Sequence, residues 1–386
     1  MTIVQLTTDN REPFRQYDNP EPHFGPAPEA LLQGFALHPQ VIVHVVSCTQ
    51  QPMLASPEKL APNIWFHSLH VPKLGWIRTG YAGCVRAIRR KVRGIAPDVV
   101  HGQGTERECA MSAVFSGFPN VLTIHGNMSE IAKYEQALFG KFYAHCAAIF
   151  ERLALGRTEG VFCNSHYTEQ IASRRVRKTW RVPNALRRPF FEAPVNSQPG
   201  SLPILLNIGV ISPRKQQVAL LDLAHELHEQ GGAFLLRFVG ALNTSDAYGK
   251  AFAKKLEIAK KGGYAEHAGT RSTNELIAML DSASALLHVP KEEAFGLVVG
   301  EALARNLKLF ALRVGGVTDI ASGVEGAELF APQSWPEMTA AIRNWLFAGA
   351  PRPTQASEIM RARYHPAVIA QRHLEIYREV LSNRAP

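Results

Sequence analysis

This chain is expected to be an α/β protein of two domains, each a parallel sheet covered by helices. Three observations lead there. Short apolar runs of strand length alternate with longer stretches of helical spacing almost throughout the 386 residues, the order that produces βαβ units. A Pro- and turn-rich interruption at residues 187–203 divides that alternation into two series. The length suffices for two domains that each bury a core.

In the first series the spacing predicts strands at residues 3–6, 41–46, 64–67, 99–102, 121–124, 160–163 and 179–182, with helices at 81–93 and 139–154. After the interruption, strands are expected at 204–208, 234–239, 283–289 and 309–312. Helices are expected at 217–230, 248–260 and 274–283, and a last one at 366–381 lies beyond the second sheet. The expected boundaries are therefore an N-terminal domain of residues 1–190 and a C-terminal domain of 200–362. There is no internal repeat and no low-complexity segment.

Composition excludes several classes. With 46% apolar and 19% charged residues, and no apolar run of membrane-spanning length, the chain reads as a soluble globular protein. Its N-terminus lacks a basic leader and reads as a first strand, so a cytoplasmic location is expected. Five scattered cysteines without a CxxC pair indicate neither a disulfide framework nor a zinc site. The formal charge of +9 favours anionic partners. It gathers in two clusters: Arg86, Arg89, Arg90, Lys91 and Arg93, then Arg174, Arg175, Arg177, Lys178 and Arg181. These are either solvated helix faces or a means of attraction to acidic lipid head groups at the inner face of a membrane, or to a phosphate-bearing acceptor. No nucleic-acid module is present, and nucleic acid is not an expected partner.

The most informative stretch follows the apolar run 283–289. Pro290 breaks that strand into a loop carrying Glu293, and Phe295-Gly296-Leu297 leads into a helix that contains Glu301. Backbone N–H groups at such a helix start suit a diphosphate. A carboxylate on either side suits hydrogen bonds from sugar or ribose hydroxyls. The plain alternative is a solvated helix with ordinary surface acids. The string Glu293-Ala294-Phe295-Gly296-Leu297-Val298-Val299-Gly300-Glu301-Ala302-Leu303-Ala304 resembles the Glu-x7-Glu signature of retaining glycosyltransferases of family 4. The resemblance implies the GT-B fold, two facing Rossmann-like domains with an interdomain cleft. The C-terminal domain would bind the nucleotide sugar and the N-terminal domain the acceptor, with the last helix (366–383) packing back on the latter. It also implies that Glu293 contacts the transferred sugar and that Glu301 holds the ribose.

Other segments resemble the family to differing degrees. Gly209 and Lys215 resemble the ends of its donor-phosphate Gly-Arg-x5-Lys motif, although four residues rather than five precede the lysine and Val210 stands where the family commonly has Arg. Either Arg214 supplies that guanidinium from a displaced position, or Lys215 acts with less help. His125, in a His-Gly turn after strand 121–124, matches a family histidine beside donor sugar and acceptor. A hydrogen-bonded structural histidine is the alternative. The segment 23–29 occupies the place of the family's Gly-rich loop without its paired glycines, and Gly25 remains the candidate for close backbone approach there. Gln103 and Glu106 follow another strand, as acceptor-side residues or as members of a tight turn. Thr270 and Arg271 follow the strand expected to border the nucleobase. Gly315-Gly316-Val317-Thr318-Asp319 resembles Gly-Gly-x-x-Glu, with Asp in the last place. No Asp-x-Asp motif occurs, so neither a metal nor another cofactor is expected beyond the nucleoside diphosphate sugar, UDP- or GDP-linked. The acceptor would be a small molecule, a glycan or a lipid-linked sugar. Rival readings are an epimerase or phosphorylase on the same fold, and a non-catalytic protein that binds anions or lipid.

Overall fold

In the computed structural model, which describes residues 1–126, 128–131, 133, 138–195, 200 and 202–383, the strands form two separate sheets. The first contains β1 (Thr2–Leu6), β2 (Ile42–Thr49), β3 (Lys59–Ala61), β4 (Ile64–His70), β5 (Val99–Gln103), β6 (Asn120–Ile124), β7 (Val161–Cys163) and β8 (Thr179–Arg181). Their order is β3-β4-β2-β1-β5-β6-β7-β8, parallel except where the short β3 runs antiparallel to β4 at the edge. The second contains β9 (Ile204–Ile208), β10 (Leu235–Val239), β11 (Ala265–His267), β12 (Ala285–His288), β13 (Lys308–Leu312) and β14 (Ala327–Phe330). It is wholly parallel, in the order β11-β10-β9-β12-β13-β14. Both sheets grow outward from their first strand in two directions, the doubly wound arrangement. The chain divides into two units, Met1–Arg187 with Tyr364–Pro386, and Arg188–Arg363.

Burial on both faces explains the nearly unbroken apolar runs. In β1, Ile3 belongs to one core, with Val43, Val99, Phe162 and Tyr377, while Val4 and Leu6 belong to the core on the other face, with Val100, Leu122 and Ile88. The strand period of two decides which residue goes where. The helix Ala82–Ile95 shows the complementary pattern, burying Cys84, Ile88 and Val92 at four-residue spacing and leaving its arginines outside.

The last helix, Pro366–Ser382, begins with Pro at its first position and a His365 cap. It buries Ile369, His373, Leu374 and Tyr377 against the helix Pro26–Phe35 in the first unit. The two helices approach closely at Gly34, where an added Cβ would lie 2.3 Å from the Pro366 carbonyl oxygen.

Some elements escaped the sequence. Pro26 and Pro28, read above as part of a stiff loop, instead occupy the first turn of the helix Pro26–Phe35, where their missing N–H groups cost nothing. The strand β14 is half-buried along its length and offers no alternation to read. The linker expected at 187–203 includes the short helix Pro189–Glu192; residues 196–199 and 201 of that stretch lie outside the described residues. Cys48, Cys84, Cys109 and Cys163 are buried free thiols. No helix of the described residues is long and apolar enough to cross a membrane.

The Gly34 contact gives a direct test. Gly34→Val should destabilise the protein by about 2 kcal/mol, as overpacked interfaces do, and lower its thermal midpoint. Gly94→Ala, in a helix with nothing within 4 Å of the new methyl, should leave the midpoint unchanged or slightly higher. Equal midpoints for both variants would contradict the close packing of the last helix.

Candidate functional site

In the C-terminal unit the neighbours β9 and β12 are the strands from which the sheet winds in opposite directions, and ligands of such sheets bind beyond the strand ends at that point. The β9 end leads into residues 209–216 and the β12 end into 289–296. Lys215 from the first loop donates to the Glu293 carboxylate of the second in a very short ion pair. His288, the last residue of β12 and only 1% exposed, stands with Nε2 3.4 Å from the same carboxylate oxygen. The loops are stitched elsewhere too. Gln216 Nε2 donates to the Val289 carbonyl at 2.8 Å, and the Lys291 amide to the Arg214 carbonyl at 2.8 Å. The Glu293 carbonyl accepts from the Gly316 amide at 3.0 Å.

Charge is balanced inside this cluster. Burial pushes the Glu293 carboxyl up, but the Lys215 ammonium and His288 outweigh it and hold Glu293 well below the usual carboxylate range. Burial pushes His288 down and keeps its ring neutral despite the nearby carboxylate. For Glu292 burial prevails over the Arg214 guanidinium and raises the carboxyl. Arg214 Nη1 donates to the Glu292 carbonyl at 3.0 Å and to its carboxylate at 3.3 Å. The guanidinium sought as a stand-in at Val210 is thus committed to Glu292, while Val210 itself is exposed.

Two backbone features shape the space. Gly296 caps the helix Leu297–Ala304 with φ +99°, a conformation few other residues adopt; the Val299 amide bonds to the Gly296 carbonyl at 2.9 Å, and helix geometry gives the Leu297 and Val298 amides before it no acceptor within the helix. Gly209 lies against Gly240, where an added Cβ would meet the Gly209 carbonyl oxygen at 2.1 Å, so these strand ends form a low ledge. The Lys215 side chain runs alongside Gly209. Phe295 and Glu301 are buried and Leu297 is half-buried. Thr270 and Arg271 are exposed beyond β11, two strands from the switch, and Arg271 lies 3.8 Å from Glu275. The structure therefore joins Lys215, Glu293, Gly209 and Gly296, sets Arg214 on Glu292, and leaves Thr270 and Arg271 at the sheet edge. His288 and Glu292 went unnoticed in the sequence; a histidine ending an otherwise apolar strand was the available signal for the first.

In the N-terminal unit a second polar chain runs across β5 and β6. Tyr377, on the last helix, meets His101 Nδ1 at 2.5 Å, and His101 Nε2 meets Thr123 Oγ1 at 2.6 Å. Gln103 Nε2 approaches the same Nδ1 at 3.4 Å, and its Oε1 lies 2.9 Å from His125 Nε2. Donors converge on His101 Nδ1, so its proton sits on Nε2; the Gln103 oxygen likewise assigns the His125 proton to Nε2. His125 Nδ1 is then a bare lone pair, buried without a partner among the described residues, in a recess that Ala27, Asn184 and His373 help to line. Burial pushes His125 and His373 each down to about 4 and His101 well below its ordinary range. Asn127, the residue after this turn, lies outside the described residues.

Glu106 stays out of that chain. Its carboxylate folds over Gly104, within 2.7 Å of where a Cβ would sit, and burial raises it. Gly25 has φ −64°, which any residue adopts, and open space beside it apart from Pro28. With Pro at two of the first three helix positions, few amides remain there to hold an anion. Among the described residues no three His, Cys, Asp or Glu side chains are placed to hold a metal ion.

Comparisons with known proteins agree with this architecture. The family model described as Glycosyl transferases group 1 matches residues 191–362, and that described as Glycosyltransferase Family 4 matches residues 36–186. No curated protein matches the chain. Sucrose-phosphate synthase from Thermosynechococcus elongatus superposes with a TM-score of 0.76 at 18% identity, over 99% of this chain and 100% of that one. A glycosyltransferase from Rickettsia africae gives 0.70 at 15%, over 99% of each chain. Anabaena HepE, solved with UDP-glucose, gives 0.69 at 17%, over 99% and 100%. The fold is GT-B, and the protein is a glycosyltransferase. The two matches together support a glycosyltransferase family 4-like protein.

The neutral histidines give this unit a pH signature. In the unfolded chain they take up protons near pH 6.5, but folded His125 and His373 do so only near 4. Between those values the unfolded state binds more protons, so stability is full above pH 6.5 and falls as pH drops toward 4. Urea midpoints should be level from pH 8 to 7 and decline from 6.5 to 4.5, less steeply in His373→Phe. A level profile down to pH 4.5 would contradict the buried neutral rings.

Proposed function

We propose that this glycosyltransferase moves a sugar from a nucleoside diphosphate sugar, UDP- or GDP-linked, to an acceptor hydroxyl with retention of configuration. The observation that carries the proposal is the Lys215–Glu293 pair beside the Gly296 helix start. A diphosphate arriving there replaces Glu293 as the counter-ion of Lys215 and takes hydrogen bonds from the first-turn amides. Glu293, released and still ionised, accepts hydrogen bonds from the sugar hydroxyls. Glu301 is assigned to the ribose, and the glycine ledge at Gly209 and Gly240 to the rest of the nucleoside.

The bond from the anomeric carbon to the diphosphate oxygen breaks while the acceptor oxygen bonds to the same face. The acceptor proton passes to the leaving phosphate oxygen. Lys215 and the helix amides stabilise the developing charge, so the reading needs no divalent metal. His125 is too weak a base near neutrality to take the acceptor proton. Its bare Nδ1 is assigned to accept a hydrogen bond from a hydroxyl. The N-terminal unit is assigned to the acceptor, a small molecule, glycan or lipid-linked sugar. UDP-glucose bound to HepE supports the donor class.

Glu293→Ala should fold with an unchanged circular dichroism spectrum and lose transfer about 100-fold or more, equivalent to about 2.7 kcal/mol of transition-state stabilisation. A panel of UDP, GDP, ADP, CMP and dTDP sugars should contain one base that raises the thermal midpoint. Proton NMR of the product should show the donor's anomeric configuration, with and without EDTA. Unchanged turnover in Glu293→Ala, or an inverted product, would overturn the assignment.

A further inference from the structure

The first basic cluster of the sequence becomes a single surface in the fold. Arg86, Arg89, Arg90 and Arg93 stand at positions i, i+3, i+4 and i+7 of the helix Ala82–Ile95, and all four are exposed. They line one recess of about 680 Å³ together with Val85, Met111 and Phe115. No acidic residue lines it, and among the described residues none of the four arginines has an ion-pair or hydrogen-bond partner. The strip continues past Arg90 into a second recess of about 500 Å³, which adds Lys91.

The second cluster has a different fate. Lys178 is paired with Glu379 and Arg181 lies 3.9 Å from Glu169. Arg174, Arg175 and Arg177 are exposed in the turn that follows the helix His166–Ala172 rather than along one helix face. Adjacent positions in sequence therefore do not make equivalent sites.

We infer that the recess between the helices Ala82–Ile95 and Glu108–Val114 docks this protein on a bilayer rich in anionic phospholipid. From Arg86 to Arg93 the charge is spread over eight residues of helix, about 10 Å, so it spans several head-group phosphates rather than one. Arginine forks suit phosphate oxygens. The apolar component points to a bilayer rather than to a soluble polyanion. Phe115 remains 37% exposed beside the guanidiniums, with Arg157 over its ring at 5.6 Å. Leu74, 77% exposed, precedes Gly75, whose backbone packs against Gly83 at the start of the same helix. An aromatic beside a row of arginines, with an exposed leucine near the start of the same helix, matches a head-group layer above acyl chains. The inference rests on the N-terminal unit alone and is independent of the donor chemistry.

The test is sedimentation of the full chain with vesicles of phosphatidylcholine alone or with 30% phosphatidylglycerol. Binding is expected to the anionic vesicles only and to weaken with salt. Each basic residue near such a surface contributes about a five-fold gain in partitioning. The triple variant Arg86→Gln, Arg89→Gln, Arg93→Gln should therefore lose about 100-fold, while Arg174→Gln, Arg175→Gln, Arg177→Gln, with the same change of net charge, should lose less than ten-fold. Phe115→Ser should weaken binding at constant charge. Equal losses in the two triple variants, absence of binding to anionic vesicles, or tighter binding to a DNA oligonucleotide at equal phosphate concentration would each overturn the inference.

Discussion

In a parallel sheet wound outward from one central strand, two neighbouring strands send their following segments to opposite faces, and the gap between those segments is the place where loop backbone can hold a ligand. Each unit of this protein has one such gap. In the C-terminal unit it lies between β9 and β12, and it dictates why Lys215 and Glu293, 78 residues apart in sequence, meet. The Gly209–Gly240 contact, the Gly296 cap and the Gly316 amide all serve to fix the two loops around that pair.

The two units solve different electrostatic problems at their strand ends. In the C-terminal unit opposite charges are held together, buried to about 15% exposure, in a form that a diphosphate can enter by exchange of partners. In the N-terminal unit burial keeps the histidines uncharged: His101, His125 and His373 are neutral, the first two sharing one chain of hydrogen bonds that decides where their protons sit and the third bonded to the Ile369 carbonyl. An anionic leaving group suits the first arrangement, and a neutral hydroxyl suits the second. Free cationic charge is then left on the outer face of the helix Ala82–Ile95, away from either chain of contacts.

What could be read in the sequence was local. Apolar runs such as 204–208 and 283–289 announce strands because a buried parallel strand tolerates nothing else, and Glu293 to Ala304 carries its own helix start. Lys215 was legible for the same reason, since it follows a strand end within seven residues. Pairings across the chain were not. Nothing in the segment 366–381 reveals that Tyr377 will meet His101, 276 residues away, and nothing near Arg214 shows that Glu292 will claim it. The helix Pro26–Phe35 was hidden by its prolines, which break helices in their interior but begin them well. His288 was concealed by its neighbours, because the pattern that marks a strand does not say which of its residues ends at a ligand.

The central claim is that Lys215 is held by Glu293 until a diphosphate takes it over. Calorimetric titration of UDP and GDP, without their sugars, into the wild type, Lys215→Met and Glu293→Gln tests it most directly. Lys215→Met should weaken the preferred nucleotide by at least about ten-fold, or 1.4 kcal/mol. Glu293→Gln should bind it as tightly as the wild type or more so, since the lysine no longer has to leave a carboxylate. A loss in Glu293→Gln as large as that in Lys215→Met would contradict the exchange of partners on which the account stands.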